Sequence, residues 1–204
     1  RPERLAKAAR LEAVLQSLGK VVVGCSGVVD STLLAVAAHR ALQDNAVAVT
    51  TVSASMPAGD LEKAEAMSRQ LGFRHVVLPT HELDNPDDAR NPPDRCYHCK
   101  RDLLEAIGKL ARELGIAHVV HGQNADDSHD VRPGARAALE RGVRAPLAEV
   151  GLTKAEIRAI SLALGLPTWD KPAYACLATR IPYGEPITRA ALSAVEAAED
   201  ALYE

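Results

Sequence analysis

The sequence predicts an α/β fold: a doubly wound, mostly parallel sheet followed by a C-terminal helical and loop extension. Three observations carry that expectation. Short β-branched runs alternate with helical stretches of about ten residues or more, the pattern of βαβ units. The runs are apolar almost throughout, as in strands covered on both faces. Aromatic residues make up 3% of the chain while Ala, Val and Leu abound, which favours an aliphatic core of helices packed on a Val-rich sheet.

Taken in order, residues 5–18 set apolar side chains at helical spacing, and Gly19 stops them. Residues 21–23 predict a first strand, 31–42 an apolar helix, and AVAVTTVS, residues 46–53, a second buried strand. The alternation continues with a helix over 61–71 ended by Gly72 and a third strand in RHVVLP, residues 74–79. A helix over 100–114, ended by Gly115, leads to a fourth strand in AHVVHG, residues 117–122. Thr153 and Glu156 predict a capping box for the helix KAEIRAISLALG, with Pro167 ending it. Residues 167–186 are Pro-rich and irregular, and 187–203 return to helix. An irregular stretch of about twenty residues is unusual in a compact domain, which makes this loop a functional candidate.

A chain of 204 residues is long enough to bury a core without disulfide staples. The net charge of −3 supplies no general attraction for nucleic acid or anionic membrane. No window approaches the length of an apolar membrane span, and the N-terminal stretch reads as a charged amphipathic helix rather than a signal peptide. A soluble, cytoplasmic protein is expected, with no nucleic-acid or membrane partner. Cys25, Cys96, Cys99 and Cys176 are too few and too unevenly placed for a disulfide framework.

In a doubly wound sheet the ligand sits outside the carboxyl ends of the strands. VVVGCSGVVDSTLL, residues 21–34, lies there. Backbone N–H groups of Ser26, Gly27, Val28, Val29 and Asp30, with the hydroxyls of Ser26 and Ser31, form a candidate phosphate cradle. The stretch lacks both the Walker pattern and the spaced glycines of a dinucleotide fingerprint. An ordinary capped helix after a strand is the plainer alternative. Ser-Gly-x-x-Asp-Ser after a strand resembles the pyrophosphate loop (PP-loop) of the ATP pyrophosphatases, usually Ser-Gly-Gly-x-Asp-Ser. Val28 stands where the second Gly is usual. A Cβ there narrows the approach to phosphate or conflicts with a positive φ, so the departure bears directly on nucleotide affinity.

HGQNADD at the fourth strand, DVRPGARAALERGVRAPLAE, LTKAEIRAISLALGLPTWDKPAYACLATRIPYGEPIT and RCYHCK, together with SGVVDS, resemble the LarE family of ATP-dependent sacrificial sulfur transferases over nearly the whole chain. The resemblance implies a Rossmann-like, adenine nucleotide alpha hydrolase-like PP-loop fold, ATP and Mg2+ as cofactors, and a small-molecule nucleotide carboxylate as substrate. It implies adenylation of a carboxylate of a pyridinium dicarboxylate mononucleotide, attack by a cysteine, and release of a thiocarboxylate that leaves dehydroalanine behind. The product feeds the nickel-pincer nucleotide cofactor. Relatives form homo-oligomers and usually continue some tens of residues further, with added basic residues at the substrate site. The expected division is a PP-loop domain over 1–165 and a sulfur-donor loop with the start of a substrate region over 166–204.

Cys176 is the expected sulfur donor, in the long loop beside Arg180, a cation suited to a thiolate and an anionic substrate. A buried, inert cysteine is the alternative. Some relatives hold an iron–sulfur cluster on three cysteines at this position. This loop supplies one, so the sacrificial mode is expected. A single C-x-x-C at Cys96 and Cys99 is weak evidence for zinc and reads as a local structural element at a helix start. Asp30 is expected to act in catalysis and, with Asp127, to hold the metal; a helix N-terminal acid and a turn are the plain alternatives. Further nucleotide contacts are expected from Ser53, Gly122, Asn124 and Arg132. Glu196 and Glu199 read as a solvated helix face. Two other functions share the same features: a tRNA thiolase or amidotransferase-like synthetase, and a degenerate nucleotide-binding protein without catalysis.

Overall fold

The computed structural model describes residues 2–129, 133–172 and 175–203. Strands β1 (Val21–Gly24), β2 (Ala46–Val52), β3 (His75–Pro79) and β4 (His118–His121) form an all-parallel sheet in the order β3-β2-β1-β4. In the central register Val22 lies beside Val47 on one side and Val119 on the other. The chain winds outward from β1 to β3, then returns to place β4 on the other side of β1. The reversal makes the carboxyl ends of β1 and β4 a topological switch point, where such sheets bind ligands.

Alternation of side chains along each strand divides the core in two. Val21 and Val23 of β1, with Ala46 and Ala48 of β2, pack on the face covered by α1 (Pro2–Leu18), α2 (Val29–Leu42) and α3 (Asp60–Leu71). Val22, Val47 and Val49 pack on the opposite face. There Leu104, Ile107 and Ala111 come from α5 (Arg95–Glu113), which follows the short α4 (Pro86–Ala89), and Ala138 from α6 (Pro133–Glu140). The short α7 (Pro146–Glu149) and α8 (Lys154–Ala163) complete the first face through Leu147 and Ile157. The expected capping box is present: Glu156 N–H donates to Thr153 Oγ1 (3.3 Å) and Thr153 N–H to Glu156 Oε2 (3.0 Å).

Several helix starts differ from expectation, among them α1 at Pro2 rather than residue 5 and the last helix at Arg189 rather than residue 187. α2 starts at Val29, two residues early, and α5 starts at Arg95 rather than residue 100. The first turn of α5 is polar and carries no apolar periodicity; its start is set by Pro92, Pro93 and the N-cap Asp94. Beyond α8 the chain makes a 3-10 turn, Leu177–Arg180, and the helix α9 (Arg189–Tyr203). Leu177, Ala178, Ile181, Ile187 and Leu192 form a third apolar cluster there, against Ala54 and Leu83. Among the described residues no helix is long and apolar enough to cross a membrane.

Candidate functional site

β1 hands over to α2 through Cys25, Ser26, Gly27 and Val28. Cys25 N–H donates to the Val49 carbonyl (2.8 Å), and burial pushes its thiol up, so this cysteine packs rather than reacts. Gly27 carries the left-handed backbone, φ 73°. Val28 is extended, φ −93° and ψ 168°. The anticipated conflict between Val28 and a positive φ therefore does not arise, because the glycine that the motif retains takes that conformation. Val28 is the N-cap of α2, and its carbonyl accepts from Thr32 N–H (3.0 Å). No side chain caps the helix, which leaves the first-turn N–H groups of Val29, Asp30 and Ser31 as candidate anion donors. Val29 offers its backbone only, since its side chain lies in the core. The Ser31 hydroxyl accepts from Ser26 N–H (3.2 Å), lies 3.2 Å from the Ser26 hydroxyl and donates to the Val28 carbonyl (3.2 Å).

Asp30 is buried and held from two sides. Lys154 Nζ pairs with Oδ2, and Asn124 Nδ2 donates to Oδ1 (3.2 Å). Asn124 N–H also donates to Asp127 Oδ2 (3.2 Å), while its side-chain oxygen accepts from the N–H groups of Asp126 (2.9 Å) and Asp127 (3.3 Å). Asn124, expected as a nucleotide contact, is a buried link between two carboxylates. Asp30 and Asp127 both line the cleft. Mg2+ usually takes one or two carboxylates plus phosphate oxygens and keeps several waters, and this pair fits that donor set. Among the described residues no cluster of three His, Cys, Asp or Glu could hold a metal unaided. Gly122 has a steric role: a Cβ there would lie 2.8 Å from Ser31 N and 3.0 Å from Ser31 Cα. Its missing side chain lets the end of β4 press against the phosphate turn.

The cleft has a volume of about 660 Å³. Ser26, Val28, Asp30 and Ser31 line it together with Cys96, Cys99 and Lys100 of α5 and with Cys176. Val49, Leu103, Leu104, Ile107 and Val119 give it an apolar floor. Ser53 also lines it just past β2, 3.0 Å from the Ser55 hydroxyl. The Ser55 carbonyl accepts from Leu177 N–H (3.0 Å), which ties the Cys176 turn to the rim. His121 is held down to about 4, first by burial and then by Lys100, and is a neutral imidazole near pH 7. Burial also lowers Lys100. Lys171 Nζ donates to the Gly27 carbonyl (3.3 Å), putting a cation on the phosphate turn.

Cys176 caps the 3-10 turn with its side chain exposed at the cleft. The surrounding protein pushes its thiol up, opposed by the Arg95 guanidinium, while Cys96 pushes it further up and the N–H groups of Thr179 and Ala178 draw it down. Arg180 acts on the backbone instead. Its Nη1 donates to the carbonyls of Ala175 (2.9 Å) and Cys176 (3.3 Å), and its Nε to Glu199 Oε1 (2.5 Å). The cation that favours the thiolate is thus Arg95, a residue that no local sequence signal singles out. Cys96 and Cys99 share the cleft with Cys176, although they are far from it in sequence, and burial pushes Cys99 up strongly. Glu196 accepts from Ala58 N–H (2.5 Å) and Glu199 from Arg180, so both tether α9. Arg132 lies outside the described residues. Lys154 is likewise silent in the sequence; LTKAE signals a helix cap locally, and nothing near it announces the partner Asp30.

Several known proteins resemble this chain. The NAD synthase family model matches residues 6–91. An uncharacterized Synechocystis protein, slr1717, is 46% identical over 193 residues, covering 95% of this chain and 72% of its own length. The pyridinium-3,5-bisthiocarboxylic acid mononucleotide synthase of Lactiplantibacillus plantarum is 34% identical over 194 residues, 95% of this chain and 70% of the synthase. More distantly, a subunit of the glutamine-hydrolyzing GMP synthase of Methanothermobacter thermautotrophicus is 28% identical over 166 residues, 77% of this chain and 54% of that polypeptide.

Proposed function

The chain belongs to the LarE family within the PP-loop superfamily, and on that premise we propose that it activates a substrate carboxylate with ATP and gives it the sulfur of Cys176. The observation that carries this reading is one cleft shared by the phosphate turn and an exposed thiol. The first-turn donors of α2 and the Ser26 and Ser31 hydroxyls bind the β and γ phosphates, where charge grows as pyrophosphate departs. The apolar floor and Ser53 seat the nucleoside. Asp30 and Asp127 would hold Mg2+, which would supply charge to shield the phosphates; Lys154 and Asn124 keep the Asp30 carboxylate in place. Lys171 and Lys100 add positive charge for an anionic substrate.

The chemistry has three balanced steps. A substrate carboxylate oxygen attacks the α phosphorus of ATP, forming an acyl adenylate and releasing pyrophosphate. The Cys176 thiolate then displaces AMP, forming a thioester. Loss of the Cα proton of Cys176 with cleavage of its Cβ–S bond leaves the sulfur on the product as a thiocarboxylate and dehydroalanine in the chain. Each chain acts once. The substrate that the relative's name suggests is pyridinium-3,5-biscarboxylic acid mononucleotide, and the pathway is nickel-pincer cofactor synthesis. In the same reading residues 1–165 form the nucleotide-binding part and 166–204 the sulfur-donor part, whose apolar cluster around Leu177 and Ile187 packs on Ala54 and Leu83 of the first. Cytoplasmic location and self-association belong to the same reading.

Pyrophosphate release distinguishes this function from its rivals. Release from ATP that depends on the pyridinium dicarboxylate mononucleotide and is unchanged by tRNA is expected. Release that requires tRNA would indicate a thiolase, and ATP binding without release under any condition would indicate a non-catalytic nucleotide-binding protein.

A further inference from the structure

The loop carrying Cys176 is anchored to the segment around α4 and α5 by two buried polar side chains. Asn91 is fully buried and has a left-handed backbone, φ 55°, which asparagine tolerates better than most residues. Its Nδ2 donates to the carbonyls of Ile181 (3.2 Å), Pro182 (2.8 Å) and Glu185 (3.1 Å). Gly184 N–H donates back to the Asn91 carbonyl (2.9 Å). Arg95 is 3% exposed. Its Nη1 donates to Asn91 Oδ1 (2.8 Å) and to the Ala178 carbonyl (2.9 Å), and its Nη2 approaches Cys96 Sγ (3.9 Å). Ala178 belongs to the turn that Cys176 caps.

A guanidinium buried this deeply is costly unless its charge is used. Among the described residues, the hydrogen bonds of Arg95 go to an amide oxygen, a peptide oxygen and a sulfur rather than to a carboxylate. Its field therefore falls on the thiols around it. The groups acting on Cys176 are Arg95 and Cys96 of α5, with Cys99 one turn further along, and the N–H groups of Ala178 and Thr179 in its own turn. The Asp88 carboxyl also feels the Arg95 charge.

We propose that Arg95 is the positioning residue of the sulfur donor: it holds the Cys176 turn through the Ala178 carbonyl and places a buried positive charge beside the cysteines of the cleft. The proposal rests on Cys176 being the donor. Asn91 is the tether, and Arg95 is both tether and charge. Arg180 also holds the turn, through the carbonyls of Ala175 and Cys176, and is itself bound to Glu199, but it is far more exposed than Arg95.

The test reads the thiol itself. Alkylation of Cys176 by iodoacetamide, mapped by peptide mass spectrometry to separate it from Cys96 and Cys99, is followed against pH in the full chain. Removing a nearby positive charge raises a thiol pKa by about one unit or more, so Arg95→Met is expected to shift the midpoint upward and to slow alkylation near pH 8 about tenfold. Asn91→Ala keeps the charge and cuts the tether. It is expected to speed proteolysis between residues 176 and 187 while leaving the midpoint in place. Arg95→Lys is expected to keep the midpoint within a few tenths of a unit of wild type. If Arg95→Met does not fold, Arg95→Gln, whose amide can still reach the Ala178 carbonyl, takes its place. A midpoint unchanged in the uncharged variant, or moved equally by Asn91→Ala, overturns the proposal. Failure of the wild-type chain to form dehydroalanine would instead overturn the sulfur-donor reading and leave this comparison intact.

Discussion

Val28 is the residue at which the phosphate turn departs from the usual motif, and its backbone explains why the departure is tolerated. The left-handed angle falls on Gly27, while Val28 is extended. A glycine at position 28 would add flexibility without releasing strain. Val28→Gly is therefore expected to lower stability by about 0.5–1 kcal/mol and to leave ATP affinity within about threefold of wild type, a change of less than about 0.7 kcal/mol. Urea unfolding and nucleotide titration check the two parts. Affinity raised tenfold or more would mean that the valine side chain obstructs the phosphates. Asp30 and Asn124 show the same dependence on context: a carboxylate that looks like a helix N-terminal acid is engaged by Lys154 and Asn124.

Between elements, two contacts determine how firmly the site is built. The first is the close approach of β4 to α2 at Gly122, where the facing atoms are backbone and cannot rotate aside. Gly122→Ala is expected to cost about 1–3 kcal/mol and to weaken ATP binding, because relief of the clash moves the first turn of α2. Thermal unfolding with and without nucleotide measures both effects. The second is the packing of α4 against α5, where burial, and then Glu82, push the Asp88 carboxyl up to about 6. One of its oxygens is buried without a hydrogen-bond partner. Folding therefore favours its protonated form, so its contribution to stability is present near pH 4 and is lost as pH rises through 6. The loss has a ceiling of about 3 kcal/mol for two pH units. Asp88→Asn is expected to flatten that fall in a stability series between about pH 4 and 8; an unchanged slope would show that Asp88 is not its source.

At the scale of the whole molecule, the parallel sheet was legible because β1 and most of β2 are buried runs of small apolar residues and the longer helices carry apolar spacing, whereas the short α4, α6 and α7 do not announce themselves in this way. The phosphate turn and the cysteine loop were legible because their chemistry is local to a few adjacent residues. The start of α5 was not, since RCYHC has no apolar period. Lys154 and Arg95 were not, because their meaning lies in partners 124 and 83 residues away. Only the folded chain brings α8 to Asp30 and α5 to the turn of Cys176, and the central claim depends on that convergence. Its most direct measurement is intact-protein mass spectrometry after incubation with ATP, Mg2+ and the pyridinium dicarboxylate mononucleotide. The account predicts an ATP-dependent loss of one hydrogen sulfide, mapped to Cys176 as dehydroalanine and absent from Cys176→Ala. A protein mass that stays constant while thiocarboxylate accumulates would contradict it.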